Sequence, residues 1–363
     1  MKVAILHDWL TGFRGGERVL EIFCEMYPDA KMYTLIHRPG STTKLIEERE
    51  IVSSFLSKVP GIGDNYRKFL PLFPFAAEQL KIDSDTDLVI SSSHCVIKGV
   101  KIPPGAKHIS YVHSPMRYIY DQFNNYFQKG PKWQLLAAHI LRPFLRTWDY
   151  ITNPGVDVFI ANSHFVKKRI ELFYHRDAEV VHPFVDLKDF KDLQHIEPKK
   201  KDYYLMVTAF APNKFVDLAI EAFNQLGKKL YIIGGGQQEK YLKSIAKENI
   251  TFLGRVSREE IVTRMREAKG FVFPGVEDFG ITPLEALAAG TPVIAYKIGG
   301  VLETLNDDVA QFFEQQTADC LAQAIEKFET KNFNSEILYK RADGFSRERF
   351  VREIEEIINK TLN

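Results

Sequence analysis

The chain has 363 residues, 45% of them apolar, and 48 Lys plus Arg stand against 47 Asp plus Glu. That length favours two domains over one, and the balanced charge excludes a general attraction to nucleic acid, leaving any anionic partner to a local basic patch. Three cysteines, Cys24, Cys95 and Cys320, without C-x-x-C spacing argue against a disulfide framework or a zinc site and fit a reducing, cytoplasmic setting.

The opening MKVAILHDWL holds a short apolar run interrupted by His7 and Asp8. It reads as a strand, VAIL (3–6), rather than a signal peptide. No stretch approaches the roughly 18 consecutive apolar residues of a membrane span. Gly15 and Gly16 follow at the start of a helix, where freed backbone N–H groups suit a phosphate; a plain strand–helix connection is the alternative. Asp85-Thr-Asp87 forms a D-x-D, but it precedes the strand DLVISS (87–92). Two carboxylates alone make a poor metal site, so a surface turn is expected and no metal.

HISYVH (108–113) is the next buried strand. His113 ends it, and Arg117 and Tyr118 follow. The segment 128–149 carries Lys129, Lys132, Arg142 and Arg146 against one acid, Asp149, with Trp133, Leu136, Ile140, Phe144 and Trp148 among them. Such a mixture suits a membrane interface or, equally, a core helix. YRKFLPLFPFAA (66–77) has the same two readings. VFIANS (158–163) completes a first series of strands.

The alternation pauses between 163 and 204, where 184–200 is polar and charged, with Pro198 near its end. The boundary is placed there, giving domains 1–185 and 186–345. A second series follows: YLMVTAF (204–210), KLYIIGG (229–235), ITFLG (250–254), GFVFPG (270–275) and PVIAY (292–296). Between them, Val216, Ala219, Ile220 and Phe223 show the i, i+3, i+4, i+7 spacing of a helix, and Gly227 ends it. Strand–helix alternation predicts an α/β protein of two doubly wound parallel sheets. In such folds ligands bind at strand C-terminal ends, and a cleft between the halves is the default site. The terminal helix, 346–363, has Ser346 as a cap and Phe350, Ile354 and Ile357 on one face; it suits packing on either domain, the first included.

FPGVEDFGITPLEALAAGTPVIAY (273–296) reads as strand, turn, helix and strand. Thr282 is the expected N-cap, with Pro283 first in the helix. The helix N-terminus would offer free N–H groups and partial positive charge to a phosphate, and Gly280 lets the backbone approach a ligand. Glu285 completes a capping-box pattern with Thr282 or binds a ligand. Glu277, at the end of a buried strand, calls for a partner, and sugar hydroxyls would serve. The glycines at 234–236 do not complete G-x-G-x-x-G, which speaks against a nicotinamide dehydrogenase.

The E-x7-E of Glu277 and Glu285, followed by AAGTPVIAY and by Gly299-Gly300-x-x-Glu303-Thr304, resembles the retaining glycosyltransferases of family 4. HDWLTGFRGGERVLE, ISSSHCVIKG, YVHSPMRY, IANSHFVKKRI and APNKFVDLAIEAFN fall in the family's order, so the resemblance spans nearly the whole chain. It is strongest to the branch that builds bacterial cell-surface polysaccharide, many of whose members are mannosyltransferases. The resemblance implies the GT-B fold and a nucleotide-sugar donor, with no cofactor and no metal. It implies that Glu277 binds donor-sugar hydroxyls and Glu285 the ribose. Phe279, Gly280 and Ile281 would present N–H groups to sugar and diphosphate, and Lys214 would neutralise the leaving diphosphate. Arg255 and Val256 would meet the base through backbone groups, and His113 the donor sugar. A lipid-linked saccharide acceptor is implied, and with it contact with the inner face of a membrane. One departure stands out: Ala209 and Phe215 occupy positions where the family usually has arginine. A lysine does not replace an arginine fork. A nucleotide-sugar epimerase or hydrolase on this fold, and a non-catalytic nucleotide-sugar-binding subunit, are the competing readings.

Overall fold

The structure is a computed structural model that describes residues 1–127, 131–190 and 199–363. Lys129 and residues 191–198 of the expected linker, Pro198 included, lie outside the described residues. The chain divides into two compact units, Met1–Val181 with Val351–Asn363, and His182–Phe350.

The first unit is built on seven parallel strands: β1 (Val3–Leu10), β2 (Lys31–His37), β3 (Ile51–Ser53), β4 (Leu88–Ser93), β5 (Lys107–Val112), β6 (Val158–Ala161) and β7 (Glu179–Val180), in the spatial order β3-β2-β1-β4-β5-β6-β7. Every residue of β1 and of β4 is buried, as expected when helices cover both faces of a parallel sheet. Strand order reverses between β1 and β4, whose register pairs His7 with Ser92. The C-terminal ends at such a reversal are where open α/β sheets bind ligands.

The second unit holds six parallel strands: β8 (Tyr204–Val207), β9 (Leu230–Ile233), β10 (Ile250–Gly254), β11 (Gly270–Phe273), β12 (Val293–Tyr296) and β13 (Ala310–Phe313), in the order β10-β9-β8-β11-β12-β13. Here the reversal lies between β8 and β11. The helix Val216–Leu226 ends on Gly227, whose φ of 66° is the left-handed cap its sequence position predicts. Together the two parallel, Rossmann-like units make the expected α/β architecture, the GT-B fold.

Within the first unit the long helix Lys132–Ile151 is held by a buried lysine. Lys98 Nζ, wholly buried, donates to the Asp149 carbonyl at 2.7 Å and to Asn153 Oδ1 at 2.8 Å, and pairs with Asp149 Oδ1 at 3.0 Å. Gly99 is needed beside it, because a Cβ there would stand 2.4 Å from the Trp148 ring. Trp148 is therefore a core residue, whereas Trp133, Leu136, Ile140 and Phe144 are exposed.

Candidate functional site

In the second unit the exits of β8 and β11 bring two predicted residues together. The short turn Pro212–Lys214 follows β8 and closes on Phe215, held at a φ of 51°. A left-handed backbone is uncommon for a bulky residue and is found where surrounding structure dictates it. From this turn the Lys214 ammonium pairs with the Glu277 carboxylate. Gly275 makes the approach possible: a Cβ there would lie 3.0 Å from the Asn213 carbonyl and 3.3 Å from Lys214 Cα.

Glu277 is gripped from the other side by the glycine pair after β12. Gly300 donates its N–H to the Glu277 carbonyl at 2.9 Å. A Cβ on Gly299 would stand 2.6 Å from that oxygen, and one on Gly300 2.0 Å from the Asp278 carbonyl. The Gly299-Gly300-x-x-Glu303 pattern thus has a steric origin. Glu303 itself bonds His182 Nε2 at 2.8 Å, and the His182 ring stacks on Phe279 with centroids 5.5 Å apart. The buried Phe279 ring is core packing, so only its backbone is available to a ligand.

The helix after this turn runs Ile281–Ala288, with Gly280 as its N-cap at a φ of 90°. This corrects the expectation that Thr282 caps and Pro283 opens the helix. The left-handed Gly280 turns the chain into the helix two residues earlier, leaving Thr282 and Pro283 inside the first turn. The N–H groups of the first turn are the anion-binding end. The Glu285 carboxylate lies 2.8 Å from Arg258 Nη1, and Arg258 Nε donates to Asp189 Oδ2 at 2.8 Å. Sequence spacing hid this partner, which is 27 residues away in the chain and belongs to another helix.

Arg255 and Val256 occupy the loop between β10 and the helix Arg258–Glu267, which Ser257 caps. Gly254 accepts from the Gly234 N–H at 2.8 Å, joining this loop to the glycines at 234–236. Those glycines press on the end of β8: a Cβ on Gly234 would meet the Thr208 carbonyl at 1.8 Å, and one on Gly236 the Phe210 N at 2.9 Å. Ala209 lies between these two contacts, exposed.

In the first unit the reversal point gathers a second cluster. His113 Nε2 is 2.8 Å from Ser92 Oγ, which is 3.1 Å from His7 Nδ1. Gly15 and Gly16 open the helix Gly15–Met26, and a Cβ on Gly16 would lie 3.6 Å from His113 Nε2. Asp8 accepts four backbone N–H groups, from His94, Cys95, Val96 and Ile97, at 2.7 to 2.9 Å. Burial works against the Glu17 charge, yet the neighbouring His7 outweighs it and holds the carboxyl below its usual range. Arg117 Nε donates to Ser114 Oγ at 3.2 Å, and the Tyr118 hydroxyl is 2.6 Å from Cys95 Sγ. Asp85 and Asp87, the D-x-D, are both bonded to Lys2.

A GT-B glycosyltransferase is the class this fold defines, with a lysine–carboxylate pair and a helix N-terminus at one reversal point. More narrowly, the chain belongs to the family 4 glycosyltransferases: the profile described as Glycosyltransferase Family 4 matches residues 13–189, and that described as Glycosyl transferases group 1 matches 188–345. Alpha-1,3/1,6-mannosyltransferase ALG2 of Homo sapiens is 27% identical over 211 residues, 49% of this chain and 51% of that one. The GDP-mannose-dependent monoacylated alpha-(1-6)-phosphatidylinositol monomannoside mannosyltransferase of Corynebacterium glutamicum is 32% identical over 130 residues, 31% of this chain and 34% of that one. The chain thus spans about half the length, or less, of these relatives. In fold it is similar to sucrose-phosphate synthase of Thermosynechococcus elongatus, with a TM-score of 0.73 at 15% identity over 99% of both chains.

Proposed function

We propose that the chain is a retaining, metal-independent hexosyltransferase that moves mannose from GDP-mannose to a lipid-linked saccharide at the inner face of the cytoplasmic membrane. The observation that carries the reading is the Lys214–Glu277 pair, set between the glycine-walled turn and the N-terminus of the helix Ile281–Ala288. Departure of a nucleoside diphosphate places negative charge on its β-phosphate. The Lys214 ammonium and the N–H groups at Gly280 and Ile281 would take that charge, which is stabilised most by donors already in place. Glu277 would accept from hydroxyls of the donor hexose, Glu285 from the ribose, and the Arg255–Val256 backbone would meet the base. His113 would contact the donor sugar, with Gly15 and Gly16 beside it and Arg117 and Tyr118 toward the acceptor. In the retaining step the bond from the anomeric carbon to the diphosphate oxygen breaks and a bond to the acceptor oxygen forms on the same face. The acceptor's proton passes to the departing phosphate. The names of the mannosyltransferase relatives support mannose and GDP.

The test is transfer of labelled mannose from GDP-mannose to lipid-linked acceptors by the wild-type chain and by Glu277→Ala. Turnover lowered by a factor of about 100 or more, with the melting temperature kept, is expected; undiminished turnover sinks the reading. Incubation with donor alone separates a hydrolase or epimerase, which would consume GDP-mannose without acceptor. Exposed Ala209, where the family usually has arginine, favours one second reading, a nucleotide-sugar-binding subunit. It predicts calorimetric binding with no turnover on any acceptor.

A further inference from the structure

We infer that Arg258 is a specificity-determining residue which, with Glu285, reads a ribose hydroxyl of the donor nucleotide. The inference rests on the assignment of Glu285 to that ribose. Arg258 is the first residue of the helix Arg258–Glu267. A cation there faces the positive end of the helix dipole, so helix stability does not account for it. Three side chains meet on its guanidinium. Nη1 stands 2.8 Å from Glu285 Oε1, Nε bonds Asp189 Oδ2 at 2.8 Å, and the guanidinium carbon is 5.5 Å from the centre of the Phe190 ring. Two carboxylates therefore fix the plane of the fork.

The remaining corner, Nη2, is buried and meets no hydrogen-bond acceptor among the described residues. An unmet buried donor is costly, and a fork held at its other two corners is not free to turn it elsewhere. Beside it lies the carboxylate of Glu285, a residue only 6% exposed. Its two oxygens offer about four acceptor positions, more than a single bond to Nη1 occupies. A carboxylate next to an unmet N–H is the complement of a hydroxyl, which donates through its proton and accepts through its oxygen. A phosphate or a base carbonyl would satisfy Nη2 but be repelled by Glu285. A hydroxyl satisfies both.

The test is calorimetric affinity of the full chain for GDP and UDP and for their 2′-deoxy and 3′-deoxy counterparts. The wild-type chain should favour the ribonucleotide over one deoxy form by about tenfold or more. Arg258→Met should bring that ratio close to one. Arg258→Lys should keep part of it, since an ammonium donates without the planar fork. A weakening by Arg258→Met that is equal for ribo and deoxy ligands, leaving the ratio intact, overturns the inference. If the methionine variant loses its melting transition, Asp189→Asn, which loosens the fork and keeps the cation, should lower the ratio; an unchanged ratio there has the same overturning force. Glu285→Gln separates the two levels of argument. A ratio that Glu285→Gln lowers and Arg258→Met preserves ends only the role of Arg258. A ratio that survives Glu285→Gln, or a wild-type chain that binds no nucleotide, ends the ribose assignment and this inference with it.

Discussion

His108 shows how one buried side chain makes the first unit sensitive to acid. Its Nδ1 is 2.9 Å from the Gly155 carbonyl, which only accepts, so Nδ1 carries the proton. Nε2, 2.8 Å from Ser91 Oγ, then accepts from the hydroxyl. The ring is thus satisfied while neutral, and burial pushes its pKa down from 6.5 to about 4. Because the folded value lies below the unfolded one, the stability it contributes is full above pH 6.5 and drains away as pH falls toward about 4. Burial lowers His94 as well, and the two act in the same direction. Urea unfolding of the wild-type chain and of His108→Gln at pH 7 and pH 5 is the measurement. The gap between the two proteins should narrow by roughly 2 kcal/mol at the lower pH. A gap that stays constant would show that folding does not shift the pKa of His108.

The helix Lys132–Ile151 is the element whose two faces do different work. Its inner face is tied down by Lys98, by Trp148 Nε1 donating to Glu78 at 2.7 Å, and by Arg142 donating to the Ile119 and Tyr120 carbonyls. Its outer face leaves Trp133, Leu136, Ile140 and Phe144 exposed at 69, 64, 69 and 54%. These fall on one stripe of the helix. Lys132 and Arg146 are also exposed, and the helix's one acid, Asp149, is sealed against Lys98. An apolar stripe with only basic neighbours fits an anionic bilayer, the surface that a lipid-linked acceptor would require. The expected outcome is sedimentation of the chain with vesicles containing phosphatidylglycerol and much less with pure phosphatidylcholine. Leu136→Ser with Ile140→Ser should weaken that binding at least tenfold. Equal sedimentation of this variant would dismiss the stripe. The core-helix reading of the segment therefore holds for Leu145 and Trp148 and not for the exposed stripe, since position within the helix turn decides which residues are core. Other elements were less legible. Strand β2 reads KMYTLIH, with Lys31, Tyr33 and Thr34 breaking the apolar run, and β13 is only four residues with Gln311 inside. Gly280 set the start of its helix through a left-handed φ, which the stronger Thr-Pro signal two residues later concealed. The Arg258–Glu285 pair is wholly non-local and left no mark in spacing. By contrast, the Lys214–Glu277 pair joins two residues that the sequence singled out separately, Glu277 by its place at a strand end and Lys214 through the family resemblance.

On the scale of the whole molecule, each unit has its own apolar core, and the chain passes between units at 181–182 and again at 350–351. The helix Arg347–Leu362 spans the second passage, its first residues in one unit and the rest in the other. The residues proposed to hold the nucleotide, from Lys214 to Glu285, all belong to the second unit. A ligand that binds only folded protein stabilises what it binds by RT ln(1 + [L]/Kd), about 2.7 kcal/mol at a hundredfold excess over Kd. If the two units open independently, saturating GDP should slow the slowest-exchanging amides of β8, β11 and β12 by about a hundredfold and leave those of β1, β4 and β5 unchanged. Hydrogen exchange read by mass spectrometry resolves these segments. The helix Arg347–Leu362 is the internal control: with independent opening, the nucleotide's effect should fade along it after 350. Equal slowing of both sheets would mean that the units open as one, and slowing confined to β1, β4 and β5 would move the nucleotide site to the first unit and remove Lys214 and Glu277 from it.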